Sequence, residues 1–257
     1  MKIKEIPTVK AACRTVINIA DAVANPYRGC QFACRYCYAS KLKASTKNPL
    51  PWGEYLEVKA NFAQQLEKDL RENPEIQTVL IGSTTEVYQP AEEQYCVVRE
   101  ILQTLIESEK KAVILTRSPL IVRDIDLLQQ LPVTIFFSWT PPQAFPHLER
   151  NGPSLKDRLA AIQALVYEKI HVIPYVCPLF PGFYNLNELI ETFSSISGIN
   201  EIHFENLNLK VLGNGPWEEP LGSFLKHGEA IYKDPVRYED FCNSVRADLE
   251  QISAQRN

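Results

Sequence analysis

From residue 57 to residue 207, short β-branched apolar runs alternate with longer amphipathic ones. TVLIG at 78–82, AVILT at 112–116, VTIFFS at 133–138, IHVIPYV at 170–176 and EIHFENL at 201–207 have the length and composition of strands. Between them, apolar residues at helical spacing predict helices over 57–71, 93–109, 122–130, 154–168 and 187–195. The fourth carries a start signal: Ser154 caps the backbone and Asp157 reaches back, as in a capping box. Its Leu155, Leu159, Ile162, Leu165 and Val166 recur at core spacing. Strands alternating with helices predict an α/β fold with a parallel sheet covered on its faces. A first strand just before residue 25 makes six β/α units. This period fits an open partial (β/α)6 barrel and a doubly wound sheet equally well. After residue 207 a Gly- and Pro-rich stretch, LGNGPWEEPLG, precedes a last helix at 238–252. The expected division is an N-terminal extension (1–24), the β/α body (25–207), and a C-terminal loop and helix packing on the barrel (208–257).

At 257 residues and 45% hydrophobic, the chain can bury one sizeable core undivided. Its net charge is −4 and its pI about 5.7, with only short basic pairs such as Lys110 and Lys111. Duplex-binding enzymes usually carry a positive track against the phosphates, so nucleic acid is the less favoured partner. No apolar run reaches membrane-spanning length, and Cys13, Cys96, Cys177 and Cys242 are scattered singly. No membrane association and a reducing, cytoplasmic compartment are therefore expected.

Residues 25–40 change the picture. They read NPYRGCQFACRYCYAS and space Cys30, Cys34 and Cys37 as Cx3Cx2C. Three thiolates on one loop can hold an iron–sulfur cluster, and a four-iron cluster then keeps one iron open to a non-protein ligand. Structural zinc, the alternative, takes four ligands. The nearest other cysteine is Cys13, 17 residues upstream, and no histidine precedes His147. A disulfide framework needs pairs and an export signal.

With the aromatic Tyr36 before its last cysteine, this motif resembles the signature of the radical SAM enzymes. The resemblance implies that Cys30, Cys34 and Cys37 bind a 4Fe–4S cluster whose open iron is chelated by S-adenosylmethionine (SAM). Tyr36 would lie against the adenine. Reduction by an external flavodoxin- or ferredoxin-type donor would cleave SAM, giving a 5′-deoxyadenosyl radical that takes a hydrogen atom from the substrate. The implied fold is the open (β/α)6 barrel.

In such barrels chemistry sits where strands run out into loops. Those positions hold Ser83, Thr84, Thr85 and Glu86 after the second strand, and Thr116, Arg117 and Ser118 after the third. Ser138, Trp139 and Thr140 follow the fourth, and Cys177 with Pro178 the fifth. Arg117 is the cation suited to the SAM carboxylate, and Ser83, Thr84 and Ser138 are suitable hydroxyls. Small polar residues after strands also serve ordinary turns and caps.

TTEVYQPAEEQY, VILTRSPLIVRDIDLL and LERNGPSLKDRLAAIQAL resemble the radical SAM branch related to spore photoproduct lyase. That branch usually reads TKS where this chain has Thr116, Arg117 and Ser118; the charge is kept and becomes a fork. Arg158 matches an arginine able to reach SAM. Spore photoproduct lyases also carry a hydrogen-donor cysteine near the second strand's end, where this chain has Gly82, Ser83 and Thr84. Cys177 lies at a barrel mouth and is either a donor or a small buried hydrophobe.

On the sixth strand, alternation sets Ile202 and Phe204 on one face and Glu201, His203 and Glu205 on the other. If the apolar pair packs under helices, His203 and Glu205 face the lumen, placed to orient substrate or move a proton.

The chain is thus expected to be a lyase-type or peptide-modifying radical SAM enzyme. The favoured substrate is a ribosomally made precursor peptide, altered in backbone or side chain or cut at a C–C bond. A small peptide-recognition partner protein would accompany it. The alternatives are a nucleic-acid lesion lyase and a non-catalytic iron–sulfur or zinc module.

Overall fold

The computed structural model describes residues 1–15, 18–149, 151–180, 182–206 and 235–256. Its strands are β1 (Lys2–Pro7), β2 (Ala12–Arg14), β3 (Ala22–Ala24), β4 (Tyr27–Arg28), β5 (Tyr55–Ala60), β6 (Thr78–Ile81), β7 (Lys111–Thr116), β8 (Val133–Trp139), β9 (His171–Leu179) and β10 (His203–Asn206). Its helices are α1 (Lys43–Thr46), α2 (Phe62–Glu72), α3 (Glu92–Tyr95), α4 (Val97–Glu107), α5 (Ile125–Leu128), α6 (Phe145–Leu148), α7 (Leu155–Tyr167), α8 (Leu186–Ser194) and α9 (Pro235–Arg256).

The main sheet runs β10-β9-β8-β7-β6-β3-β2. From β3 to β10 every pairing is parallel; β2 pairs antiparallel at the β3 edge. Six parallel strands stacked in chain order are the winding of a partial (β/α)6 barrel. A doubly wound sheet would reverse its order midway. All the outgoing loops therefore collect at one end.

One face packs Val79, Ile81, Ala112, Ile114, Ile135, Phe137, Val172 and Val176 beneath Leu66, Ile101, Leu105, Ile162, Leu165 and Phe193 of the helices. Ile202 and Phe204 join this core, so alternation turns His203 and Glu205 to the other face. Phe241 of α9 meets Tyr184 before α8 at 6.2 Å between ring centroids, and Val245 is buried. The Gly- and Pro-rich stretch lies outside the described residues. Among the described residues, no helix is long and apolar enough to cross a membrane.

The helix expected over 57–71 is instead a strand and a helix. Asn61 takes a left-handed φ of 51°, which parts β5 from α2. β5 pairs parallel with β1 and antiparallel with β4, making a second small sheet. The helix expected over 93–109 breaks likewise at Cys96, φ 51°, into α3 and α4. That expected over 122–130 is a 3-10 turn over Pro119–Asp124 followed by α5. At α7 the Ser154 hydroxyl accepts from the Asp157 N–H (3.1 Å), while the Asp157 carboxylate accepts from that same hydroxyl (2.6 Å). The cap forms, but its return arm reaches the hydroxyl and not the backbone.

Candidate active site

β4 delivers the chain into the cysteine loop, and Gly29 makes the turn with φ +92°. A Cβ there would stand 2.5 Å from the Tyr55 carbonyl oxygen. The loop after β6 then grips the cysteine loop at several points. The Thr85 hydroxyl donates to the Gly29 carbonyl at 2.6 Å. The Gln89 amide oxygen accepts from the Gln31 N–H at 2.9 Å, and the Gln31 side chain accepts from the Ala91 N–H at 2.7 Å. Asn25 donates to the Ser83 hydroxyl (2.9 Å) and accepts from the Thr84 N–H (3.0 Å). Ser83 and Thr84 thus hold the entrance of the loop, and the Tyr38 hydroxyl donates to the Ser83 carbonyl.

Cys30, Cys34 and Cys37 gather with Phe32, Tyr36, Ala144, Leu148 and Phe180 in an apolar pocket apart from the main core, with Trp52 and Phe183 against it. Burial pushes the thiols up to about 11, 12 and 11, and each feels the charge of a neighbouring cysteine, so the three converge. Among the described residues no three His, Cys, Asp or Glu side chains stand as a single metal ion would require. A four-iron cluster asks for something else, since each cysteine binds a different iron. The pocket suits that group. It is walled by aromatics, and the buried Trp52 indole N–H has no hydrogen-bond partner among the described residues, a donor that a sulfur-rich cluster can satisfy.

Above the thiols lies a buried ionic chain. Arg117, at the end of β7, directs Nη1 to the Cys34 sulfur (3.4 Å), to the Tyr36 hydroxyl (2.6 Å) and to Glu149 Oε1. Glu149 Oε1 also accepts from Tyr36 and from Thr140. Its Oε2 accepts from Nη2 of Arg158, which is fully buried. Arg158 spends its other nitrogens on the Pro153 and Ser138 carbonyls (3.1 and 3.4 Å) and sits over the Phe145 ring. Gly152 permits this approach, since a Cβ there would be 2.9 Å from Arg158 Nη2. On the other side, Glu86 accepts from the Thr116 hydroxyl (2.6 Å) and the N–H groups of Tyr88 and Arg117 (3.0 and 2.9 Å).

Burial alone would raise the Glu149 pKa; Arg117 and Arg158 outweigh it and hold the carboxyl at about 2. Its folded value thus lies below the unfolded one, near 4.5. The stability it contributes is present above that pH and lost as pH falls toward 2. In urea unfolding of the cluster-free protein, the decline across this window should flatten in Glu149→Gln; an unchanged slope would refute the assignment.

The sequence profile of the Radical SAM superfamily matches residues 24–196, from the last residue of β3 into the turn after α8. The chain belongs to this superfamily. Members of the radical SAM superfamily bind a 4Fe–4S cluster and SAM, and the matched segment includes Cys30, Cys34 and Cys37.

An uncharacterised protein of Methanocaldococcus jannaschii is 29% identical over 214 residues, covering 82% of this chain and 79% of its own length. One from Mycobacterium tuberculosis is 30% identical over 206 residues, covering 70% and 58%. Among solved structures, a spore photoproduct lyase variant with bound AdoMet and dinucleoside spore photoproduct shares the fold at TM-score 0.65 and 15% identity. That match covers 88% of this chain and 65% of the other. The enzyme anSMEcpe, with bound AdoMet and a peptide, does so at TM-score 0.50 and 13%, covering 95% and 62%. The chain thus spans less than two thirds of either solved chain.

Within this radical SAM fold the strand-end residues fall into two groups. Tyr36, Arg117 and Arg158 meet at Glu149, with the Ser138 carbonyl at the chain's far end; Ser83 and Thr84 fasten the cysteine loop through Asn25. His203 pairs with Glu201 and lies against Phe136, with ring centroids 5.3 Å apart. Glu205 accepts from the Cys177 thiol at 3.6 Å. Burial pushes the Cys177 thiol up to about 12, with Arg117 and Glu149 acting on it in opposite directions. Glu149 itself was missed in the sequence. Its signal was position: an acidic residue in LERNGPSLKDRL, nine residues before Arg158, in a segment already marked by resemblance. Of the loop aromatics, Trp139 packs on Phe193 in the main core.

Proposed function

We propose that this radical SAM enzyme acts on a peptide or protein, a ribosomally made precursor altered in backbone or side chain or cut at a C–C bond. A small recognition partner would bring the precursor, and an external one-electron donor would reduce the cluster. When bound, the cluster and SAM supply the radical that takes the substrate hydrogen.

The chain's own part begins with Arg117. Nη1 is committed to Glu149, Tyr36 and Cys34, while Nη2 makes no hydrogen bond among the described residues. That free edge of the fork suits the SAM carboxylate, and Glu149 with Arg158 holds it in place. Tyr36, whose hydroxyl meets Nη1, would border the adenine. Ser138 lies at the outgoing end of β8, and Ser83 and Thr84 just after β6.

The observation that carries the substrate reading is the polar face of β10. Glu205 and His203 of β10, with Cys177 and the aromatic Phe136 and Tyr175, line the side opposite the helix-covered core, and Glu201 pairs with His203 just before the strand. Carboxylates repel a phosphate backbone but accept peptide N–H groups and cationic side chains. Solved neighbours of this fold carry a peptide in one case and a dinucleoside photoproduct in another, so the lining is what discriminates.

The test is anaerobic. Reconstituted enzyme receives SAM and reductant with deuterated precursor peptides or with irradiated DNA, and 5′-deoxyadenosine is analysed for deuterium. Transfer from peptide is expected; transfer from DNA alone would replace this reading with lesion repair. Arg117→Ala should keep the cluster yet weaken SAM binding by roughly tenfold to a hundredfold, the loss of a charge-assisted contact. Calorimetry on reconstituted protein would show it; unchanged affinity removes Arg117 from the SAM site.

A further inference from the structure

The chain is acidic as a whole, yet between Asp21 and Glu54 it contains no acidic residue and five cations: Arg28, Arg35, Lys41, Lys43 and Lys47. Arg28 is paired with Glu57 at 2.7 Å. The three lysines lie together on the flap that follows the last cysteine. This flap is fastened to the cysteine loop at both ends. At its start, the Ser40 N–H and hydroxyl donate to the Cys37 carbonyl at 3.2 and 2.8 Å. At its end, Trp52 packs in the thiol pocket, and Gly53 sits so close to Ala33 that a Cβ would fall 2.5 Å from the alanine's own.

Between these anchors the flap faces outward. Lys41, Leu42, Lys43, Ala44, Thr46 and Lys47 are all exposed. Tyr38 and Leu42 are large apolar side chains left 39% and 37% exposed among these lysines. Apolar anchors within a charged rim are the make-up of a protein-docking surface. Lys41 is four residues from Cys37, so its Cα lies within about 14 Å of that ligand's Cα even along a fully extended chain.

We propose that the flap, residues 38–47, is the docking surface for an acidic one-electron donor protein of the flavin or iron–sulfur class. One electron leaves the donor's centre and enters the cluster; no bond is made or broken. Electron tunnelling falls steeply with distance, so the useful place for such a protein is on the segment that continues directly from the cluster ligands. A nucleic-acid strand fits less well. Its phosphates would need cations running on across the mouth, where the outgoing end of β10 instead presents Glu205. The proposal rests on the radical SAM chemistry and not on the substrate assigned above.

The test uses the charge-reversed variant Lys41→Glu/Lys43→Glu/Lys47→Glu, whose three sites are exposed and outside the cofactor machinery. An acidic flavodoxin is titrated calorimetrically, under anaerobic conditions, into the cluster-reconstituted protein at low salt. Separately, reconstituted protein is reduced either by reduced flavodoxin or by reduced methyl viologen, which is too small to need a docking surface. Flavodoxin binding should be lost. Reduction by flavodoxin should slow by about tenfold or more, with a weaker salt dependence, while reduction by methyl viologen stays the same. Flavodoxin binding and rate unaltered by the three substitutions would overturn the proposal, as would an equal slowing with both reductants. A variant that kept the flavodoxin rate but lost affinity for a labelled single-stranded oligonucleotide would reassign the flap to nucleic acid.

Discussion

Glu149→Gln is expected to cost the cluster-free protein about 3–5 kcal/mol, the usual penalty for breaking a buried ion pair from one side. Glutamine keeps the shape and a carbonyl acceptor, so the loss isolates the charge. Arg158 is fully buried and Arg117 mostly so, and each loses its carboxylate while remaining cationic. Removing one of the stranded charges as well, in Glu149→Gln/Arg158→Met, should recover part of the loss, because the remaining apolar side chain rests on Phe145. Urea unfolding of the three proteins measures this. A single-variant penalty under about 1 kcal/mol would mean that the chain of charges is not a structural keystone.

Cys34→Ala is expected to abolish activity altogether. Two protein ligands would remain for the cluster, and Arg117 Nη1 would lose the sulfur it approaches at 3.4 Å. Anaerobic reconstitution should then give little bound iron and no visible absorption, with 5′-deoxyadenosine at background. The cluster-free fold should change by only about 1 kcal/mol, since a small side chain is removed from a satellite pocket and not from the main core. A variant that still assembled its cluster and cleaved SAM would remove Cys34 from the ligand set.

The cysteine loop stands out in the sequence because its pattern is local: three cysteines and an aromatic within eight residues. Five of the six parallel strands were legible as short runs between helical patterns, while β3, three residues long, was reached only by counting one more unit before the cysteine loop. Their order was not, since pairing is decided by which strands lie adjacent, and period carries no such information. β1 was invisible because KIKEIP is almost wholly exposed and is held by backbone pairing with β5, some fifty residues on. β5 read as the start of a helix because its apolar residues run on into those of α2; only the left-handed turn at Asn61 separates them.

The site divides in the same way. Arg117 was legible as a cation at a strand end. Glu149 was not, because its meaning comes from three partners, Tyr36, Arg117 and Arg158, that only the fold brings together. Arg158 also breaks an expectation. It shares α7 with Ile162 and Leu165, whose spacing suggested an apolar face alone, and is as deeply buried as they are.

The pairing of β4 with β5 gives the cysteine loop a neck. Arg28 is bridged to Glu57 and Tyr27 to Val58, so residues 29–54 leave the body and return to it at one point. Between its ends the segment is held to the β6 and β7 loops through side-chain contacts and not by strand pairing, so it can open while the parallel sheet stays closed. In hydrogen exchange on iron-free protein, its amides should therefore trade protons as a group, well before those of β6 to β9. Loss of metal would then register in this chain as the loosening of one loop, reversible when iron and sulfide return.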